Sequence, residues 1–138
     1  MAADDIEALR RLYPFLSSLE VPAGWLPVVE RLAERIAEVV PRDRWSDQDP
    51  DYGLSLDIRE KWGILRVDTW GTGSAQREVD RLIEEAEDLS TRACQQPDCV
   101  LRGRRLVAGG RWLVVACTDH APADATRAGE IRRYGSGR

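Results

Sequence analysis

Hydrophobic residues recur with helical spacing in three segments of the chain. The first segment covers 4–18 and contains Pro14, which is expected to kink or divide the helix. The second covers 25–40, and Pro41 marks its end because proline cannot continue a helix. The third extends from about 74 to about 91. The pattern therefore predicts three helices.

Between and after these segments the pattern changes to alternation, which is typical of half-buried strands. Apolar and polar residues alternate over 54–58, and 64–70 has the same character. The five residues between them are few enough to predict an antiparallel hairpin. Two further β-like runs, 100–107 and 111–117, flank Gly109-Gly110 and predict a second hairpin.

Four potential metal ligands flank this second hairpin. Cys94 and Cys99 precede it, and Cys117 and His120 follow it. Zinc favours four tetrahedral ligands drawn from thiolate and imidazole, and a site filled by protein ligands leaves no position for substrate water. The spacing therefore predicts one structural zinc ion in a treble-clef-like module or a zinc ribbon. The alternative is that the cysteines are small buried hydrophobic residues and that His120 is an ordinary surface residue.

These elements together predict an α+β fold, with N-terminal helices, an antiparallel β-hairpin and a third helix, followed by a small zinc-stabilised β-hairpin module. We expect residues 1–92 to form the α+β body and residues 93–123 the zinc-binding module. Residues 124–138 are expected to form a short helix or a flexible basic tail.

Composition adds a marked charge asymmetry to this picture. The 138 residues carry a net charge of -4. Residues 1–99 contain 12 basic and 21 acidic side chains (12 - 21 = -9), and residues 100–138 contain 8 basic and 3 acidic ones (8 - 3 = +5). The asymmetry is typical of an acidic surface for a basic protein or of a tail that attracts anions, and a solvated face is the third interpretation.

No apolar run approaches the roughly 20 residues that a membrane-spanning helix needs. The first residues are acidic and lack the basic region of a secretory signal. Three cysteines cannot complete a disulfide framework. We therefore expect a cytoplasmic protein without a membrane partner.

Two segments carry a resemblance to known proteins. The strand and turn at 60–67, Glu-Lys-Trp-Gly-Ile-Leu-Arg-Val, and the terminal Cys117-x-x-His120-Ala121 resemble uncharacterised small bacterial and phage proteins with a C-terminal Cys-x-x-Cys…Cys-x-x-His zinc module. The resemblance covers roughly 24–121. The chain departs from that pattern at its first cysteine pair, which is separated by four residues. The resemblance implies zinc and a zinc-ribbon or treble-clef-like module but supplies no activity.

No group of residues predicts catalysis, because the metal site uses the only histidine and all three cysteines. The hypothesis is therefore a non-enzymatic zinc-containing binding protein whose partner is another protein, such as an immunity or antitoxin-like protein or a phage-associated adaptor. The alternative is a nucleic-acid-binding zinc module that uses its arginine-rich hairpin. Trp62, in the first hairpin turn, is either an exposed anchor or folds back onto a helix. The candidate contact residues are Trp62, Arg102, Arg104, Arg105, Arg111 and Trp112.

Overall fold

The computed structural model describes residues 2–95, 104–108, 112–117, 120–121 and 126–127. The elements in chain order are α1 (Ala2–Leu12), β1 (Leu16–Glu20), α2 (Leu26–Val39), β2 (Ser55–Lys61), β3 (Ile64–Trp70), α3 (Gln76–Ser90), β4 (Arg104–Ala108), β5 (Trp112–Ala116) and β6 (Thr126–Arg127). Short 3-10 turns precede α2 and α3. The fold class is α+β, as the sequence predicts.

The main sheet contains three strands in the order β1-β2-β3. β2 and β3 are antiparallel and form the predicted hairpin, whereas β1 lies parallel to β2. Parallel strands need a crossover connection, and α2 lies in the chain between β1 and β2. The sheet is therefore mixed, because it contains a parallel strand in addition to the predicted hairpin.

The prediction of a first helix extending to Ser18 is wrong. The helix ends at Leu12, and residues 16–20 form β1. Pro14 has no backbone N–H and disfavours helical geometry in the residue before it, so the helix stops instead of kinking. Arg10 then turns back to donate hydrogen bonds to the carbonyl oxygens of Leu16 and Ser17, at 3.0 and 2.9 Å, and so protects the outer edge of β1.

The hydrophobic core lies between one face of the main sheet and helices α2 and α3. Alternation along β2 and β3 turns Leu56, Ile58, Leu65 and Val67 towards the helices, and all four are buried. The apolar side of α3 faces them, and Leu89 near the end of the helix is only half-buried. Helix α2 matches its predicted range within a residue, because Pro41 ends it as expected.

A buried serine fixes the C-terminal end of α3 to the start of β3. Ser90 is fully buried, and its hydroxyl accepts the N–H of Leu65 at 3.0 Å and donates to the carbonyl of Glu87 at 2.6 Å. The N–H of Leu65 points away from β2, so without Ser90 this edge group would lack that partner. The end of α3 and the hairpin tip therefore lie at the same end of the molecule.

Two glycines make a close backbone crossing at the opposite end. A Cβ on Gly71 would lie 2.2 Å from the carbonyl oxygen of Gly53, and the φ of Gly71 is +72°. Only glycine meets both requirements. The crossing joins the end of β3 to the loop before β2, and the exposed residues Tyr52 and Trp70 flank it.

The second sheet has the order β5-β4-β6. β4 and β5 are antiparallel neighbours. Thr126–Arg127 pairs with the other edge of β4, which offers hydrogen-bonding partners for its backbone.

Candidate metal centre

The first described ligand, Cys94, follows a turn at the end of α3. The amides of Arg92 and Ala93 bond back to the carbonyls of Leu89 and Ser90, so the helix closes with one tight turn. Cys94 comes directly after this turn and is fully buried. The position of its thiol is therefore set by the end of α3.

Hydrogen bonds to the body hold the residues on either side of Cys94. The indole N–H of Trp25 donates to the carbonyl of Ala93 at 2.8 Å, and the amide of Gly24 donates to the carbonyl of Gln95 at 3.0 Å. Trp25 is itself fully buried at the start of α2. The segment that carries Cys94 is thus fixed to the same core as the main sheet.

The other two described ligands lie at the end of β5. Cys117 directly follows β5, and the amide of His120 donates to the carbonyl of Cys117 at 3.2 Å, closing a turn. This turn brings the imidazole back towards the thiol. The amide of Gln95 donates to the carbonyl of Val115 at 2.8 Å, so β5 lies against the segment that carries Cys94.

The three side chains converge through their ligand atoms. The Nδ1 atom of His120 lies 3.2 Å from the Sγ of Cys117 and 3.7 Å from the Sγ of Cys94. All three ligand atoms lie within 4.8 Å of one another. In a tetrahedral zinc site, sulfur and nitrogen ligands are separated by about 3.6 Å and two sulfurs by about 3.8 Å, from bond lengths of ~2.3 and ~2.05 Å. The group could therefore hold a metal ion.

The two thiols of the group lie in apolar surroundings. Cys94 and Cys117 are buried, His120 is exposed, and Val114, Ala116 and Ala121 pack around the thiols. Neither thiol forms a disulfide. Two thiolates in an apolar pocket are costly unless a cation compensates them, and a soft divalent metal supplies that charge. The donor set thus fits a thiolate-binding metal.

Several predicted site residues cannot be compared with the structure. The fourth predicted ligand, Cys99, lies outside the described residues, as do Arg102 and Arg111. The backbones of Arg104 and Arg105 lie in β4 and that of Trp112 lies in β5, but the described part of the chain does not include their side chains. The predicted arginine surface and the module boundaries at 93–123 therefore remain predictions.

The hairpin tip does not bury the side chain of Trp62. Its side chain is 65% exposed, and it occupies the first position of the two-residue turn between β2 and β3. Its φ is +58° and that of Gly63 is +74°. Among the described residues, Trp62 is the only non-glycine residue with a positive φ.

Two other exposed aromatic residues were not among the predicted contacts. Tyr52 is 78% exposed and Trp70 is 57% exposed. The alternation along β3 contains the signal for Trp70: Leu65 and Val67 point to the core, so a residue three positions after Val67 points away from it. For Tyr52 the sequence offers no such signal, because it lies in an irregular loop.

The acidic loop after α2 is ordered by side-chain pairing. Arg42 donates two hydrogen bonds of 2.7 Å to the carboxylate of Asp47, and its guanidinium lies 4.6 Å from the centre of the Trp45 ring. The hydrogen bond from Arg42 lowers the pKa of Asp47 below its usual value. This carboxylate therefore has a structural role within the loop.

Comparison with known proteins does not identify a family. No protein-family model matches the chain, and neither a curated protein nor a solved structure matches it significantly. The resemblance to small bacterial and phage zinc proteins thus stays a prediction. Among the described residues, no helix combines the length and the apolar character needed to cross a membrane.

Proposed function

We propose that this chain is a zinc-containing binding protein without enzymatic activity and that it recognises another protein through the hairpin tip at Trp62. In this proposal Cys94, Cys117 and His120 hold the zinc ion together with Cys99. The observation that carries the proposal is the exposed indole of Trp62 on a left-handed backbone.

The backbone geometry of Trp62 is costly for a residue with a side chain. A two-residue turn of this type favours asparagine or glycine at its first position, and a residue with a Cβ pays roughly 1–2 kcal/mol in the left-handed region. The turn nevertheless carries a large aromatic side chain that is 65% exposed. Tryptophan is enriched among the residues that dominate binding energy at protein interfaces. Binding to a partner supplies a reason for this residue.

The proposed metal has a structural role in this scheme. Two buried thiols and one imidazole surround the candidate centre, and the third cysteine, Cys99, would close the coordination sphere as the fourth ligand. A closed sphere leaves no position for a reacting water. The chain has no second histidine and no further cysteine to act as base or nucleophile. These features support a binding protein over an enzyme.

The candidate centre and Trp62 are connected through the end of α3. Ser90 joins α3 to the start of β3, two residues after the hairpin turn, and Cys94 follows Ser90 by four residues. A metal ion at this position would stiffen the end of the molecule that presents Trp62. The net charge of about -9 on residues 1–99 favours a basic partner, as for an immunity-like protein or a phage-associated adaptor.

Affinity capture from the native host with wild-type protein and the Trp62→Asn variant as baits tests the proposal. Asparagine suits the turn, so the variant removes the ring while it keeps the hairpin. We expect the wild-type protein to retain a discrete protein partner at moderate salt and the variant to lose it.

Recovery of salt-labile nucleic acid alone would contradict the proposal and favour the arginine-rich hairpin at 102–111 as the functional surface. Metal content is measured separately on both baits by elemental analysis. Equal zinc in the two proteins is expected, because Trp62 is not a ligand. If the purified protein contained no metal, the zinc assignment would be refuted. The capture result would still test the interface at Trp62.

A further inference from the structure

The face of the main sheet that points away from α2 and α3 carries an ordered arrangement of charges. The helices share one core with the apolar face, so both lie on that side. The opposite face, which we call the open face, is exposed or half-buried along β2 and β3. Its cross-strand pairs, in order along the hairpin, are Ser55 with Trp70, Asp57 with Asp68, Arg59 with Arg66, and Lys61 with Ile64.

Two successive pairs on the open face join like charges. Asp57 lies directly opposite Asp68, and Arg59 lies directly opposite Arg66. Like charges in directly opposed positions destabilise a sheet. A diagonal ion pair of 3.7 Å between Arg59 and Asp68 offsets part of this cost, but both side chains remain nearly half exposed. On β2 and β3 the arrangement is an acidic row next to a basic row, and Glu20 of β1 lies beside Arg59 at the end of the basic row.

The cross-strand pairs at the two ends of the hairpin are different in character from the charged rows. The aromatic ring of Trp70 lies beyond the acidic row, and it is 57% exposed. Lys61 and the half-buried Ile64 lie beyond the basic row, at the other end. The two ends of the open face therefore carry an aromatic and an aliphatic side chain.

Consider a two-fold axis that lies in the plane of the face and passes between the two charged rows. If this axis is perpendicular to the strands, the rotation reverses the order of the rows. The acidic row of one copy then faces the basic row of the other, and the reverse holds at the same time. The same rotation brings Trp70 of one copy over Ile64 and the Lys61 stem of the other. The open face is therefore complementary to itself.

We propose that the open face is an interface between two copies of this chain, related by this two-fold axis. The face measures about 23 Å along seven-residue strands and about 14 Å across three strands. Two such faces would bury roughly 640 Å² together, below the ~1,000 Å² of stable interfaces, so the dimer is weak and transient, with a dissociation constant of about 0.1 mM or higher. The dimer does not depend on the metal centre or on a partner at Trp62.

Sedimentation velocity of the full chain over a concentration series, at low and high salt, tests the proposal with two matched variants. One is Asp57→Asn with Asp68→Asn, which leaves only the basic row. The other is Arg59→Gln with Arg66→Gln, which leaves only the acidic row. Each variant alone should dimerise roughly tenfold more weakly than the wild type or worse. Their mixture should form a heterodimer that is tighter than either homodimer.

A control separates this result from a general charge effect. Glu30→Gln with Glu34→Gln removes two exposed carboxylates from α2 and leaves the open face unchanged. It should dimerise like the wild type. Far-UV circular dichroism first establishes that each variant is folded. If a double variant does not fold, the single change Trp70→Ser is used in its place, and it should also weaken the dimer.

Three outcomes would overturn the proposal. The first is a wild-type protein whose sedimentation coefficient does not change with concentration up to about 1 mM. The second is a mixture of variants that associates no better than either variant alone. The third is a wild-type dimer that Trp70→Ser and both double variants leave intact, because such a dimer would use another surface.

Discussion

Replacing Trp62 by alanine and by asparagine separates an exposed anchor from a residue of the core. With 65% of the side chain exposed, about a third of its surface is shielded in the folded state. A tryptophan offers up to ~250 Å², so about 90 Å² is shielded, which corresponds to at most about 2 kcal/mol of unfolding free energy. The true value is smaller, since unfolded chains also shield part of this area.

We therefore expect Trp62→Ala to lower the free energy of unfolding by no more than about 2 kcal/mol. Trp62→Asn should regain about 1 kcal/mol relative to alanine, because asparagine tolerates the left-handed backbone at this position. The fully buried Trp25, whose indole also donates a hydrogen bond to Ala93, provides the comparison. Trp25→Ala should cost at least about 3–5 kcal/mol.

Equilibrium urea unfolding followed by far-UV circular dichroism measures all three variants, because the signal comes from the backbone and not from the substituted rings. The midpoints are compared at equal slope. If Trp62→Ala destabilised the chain as much as Trp25→Ala, the ring would belong to the core, and the argument for an interface at the hairpin tip would fail. If Trp62→Asn were no more stable than Trp62→Ala, the left-handed backbone at this position would carry no extra cost for alanine.

The remaining predictions concern Ser90, Gly71 and Asp47, and the first two have a neighbouring residue as control. Ser90→Ala should cost about 1–3 kcal/mol in urea unfolding because it leaves a buried N–H at the edge of β3 without this acceptor, whereas Thr91→Ala, which removes an exposed hydroxyl bond of 2.7 Å, should cost under ~0.5 kcal/mol. Gly71→Ala should cost more than about 2 kcal/mol, since it adds a backbone clash to the left-handed strain, and Gly73→Ala, with 3.2 Å to a flexible side chain, should cost about 1 kcal/mol. Because its arginine partner lowers the pKa of Asp47, that pair stabilises the fold at neutral pH and loses its effect as the pH falls through the lowered pKa. Asp47→Asn should therefore lower the thermal midpoint at pH 7 and leave it nearly unchanged near pH 2.

The sequence predicted the elements whose signals are local. The repeat over 25–40 and the proline that ends it are sufficient to define α2, and the alternation at 54–70 is sufficient to define the hairpin. It did not predict β1. The apolar residues at 16 and 19 have a spacing of three, which suits a helix, and only pairing with β2 makes this segment a strand.

The candidate metal centre was predictable from ligand type and spacing alone. Two close pairs of ligands separated by a hairpin indicate a site without any knowledge of the fold, and three of the four residues do converge. The attachment of that site to the body was not predictable. It depends on the bonds from Gly24 and Trp25 to the residues around Cys94, which connect positions almost 70 residues apart.

The charge pattern of the open face was also only partly predictable from the sequence. The charges along β2 and β3 are visible in the sequence, but their arrangement into rows depends on the register of the hairpin. A shift of one residue would reverse the face that each side chain occupies. The turn at Trp62-Gly63 sets this register, so the residue proposed as an anchor also determines which charges lie opposite each other.

Removal of the metal should destabilise the hydrophobic core as well as the ligand residues, because the metal centre packs against the core. Ala93 and Val115 belong to the same buried cluster as Trp25, and Cys94 lies between the two hydrogen bonds to α2. A metal that links Cys94 to Cys117 closes a loop of about 24 residues, which by chain entropy is worth about 3 kcal/mol. A chelator should therefore lower the urea midpoint of the zinc-loaded protein and change its tryptophan fluorescence, to which the buried Trp25 contributes.

Cys117→Ser supplies the control for this effect. The variant should have a low midpoint from the outset, and a chelator should not lower it further. Chelation should also weaken capture of the partner, since the end of α3 supports both Cys94 and, through Ser90, the strand that leads from Trp62. Trp62→Ala should weaken capture without changing the metal content. If chelation left the midpoint and the capture unchanged, the metal would have no part in holding this end of the molecule, and the interface would have to be explained by the main sheet alone.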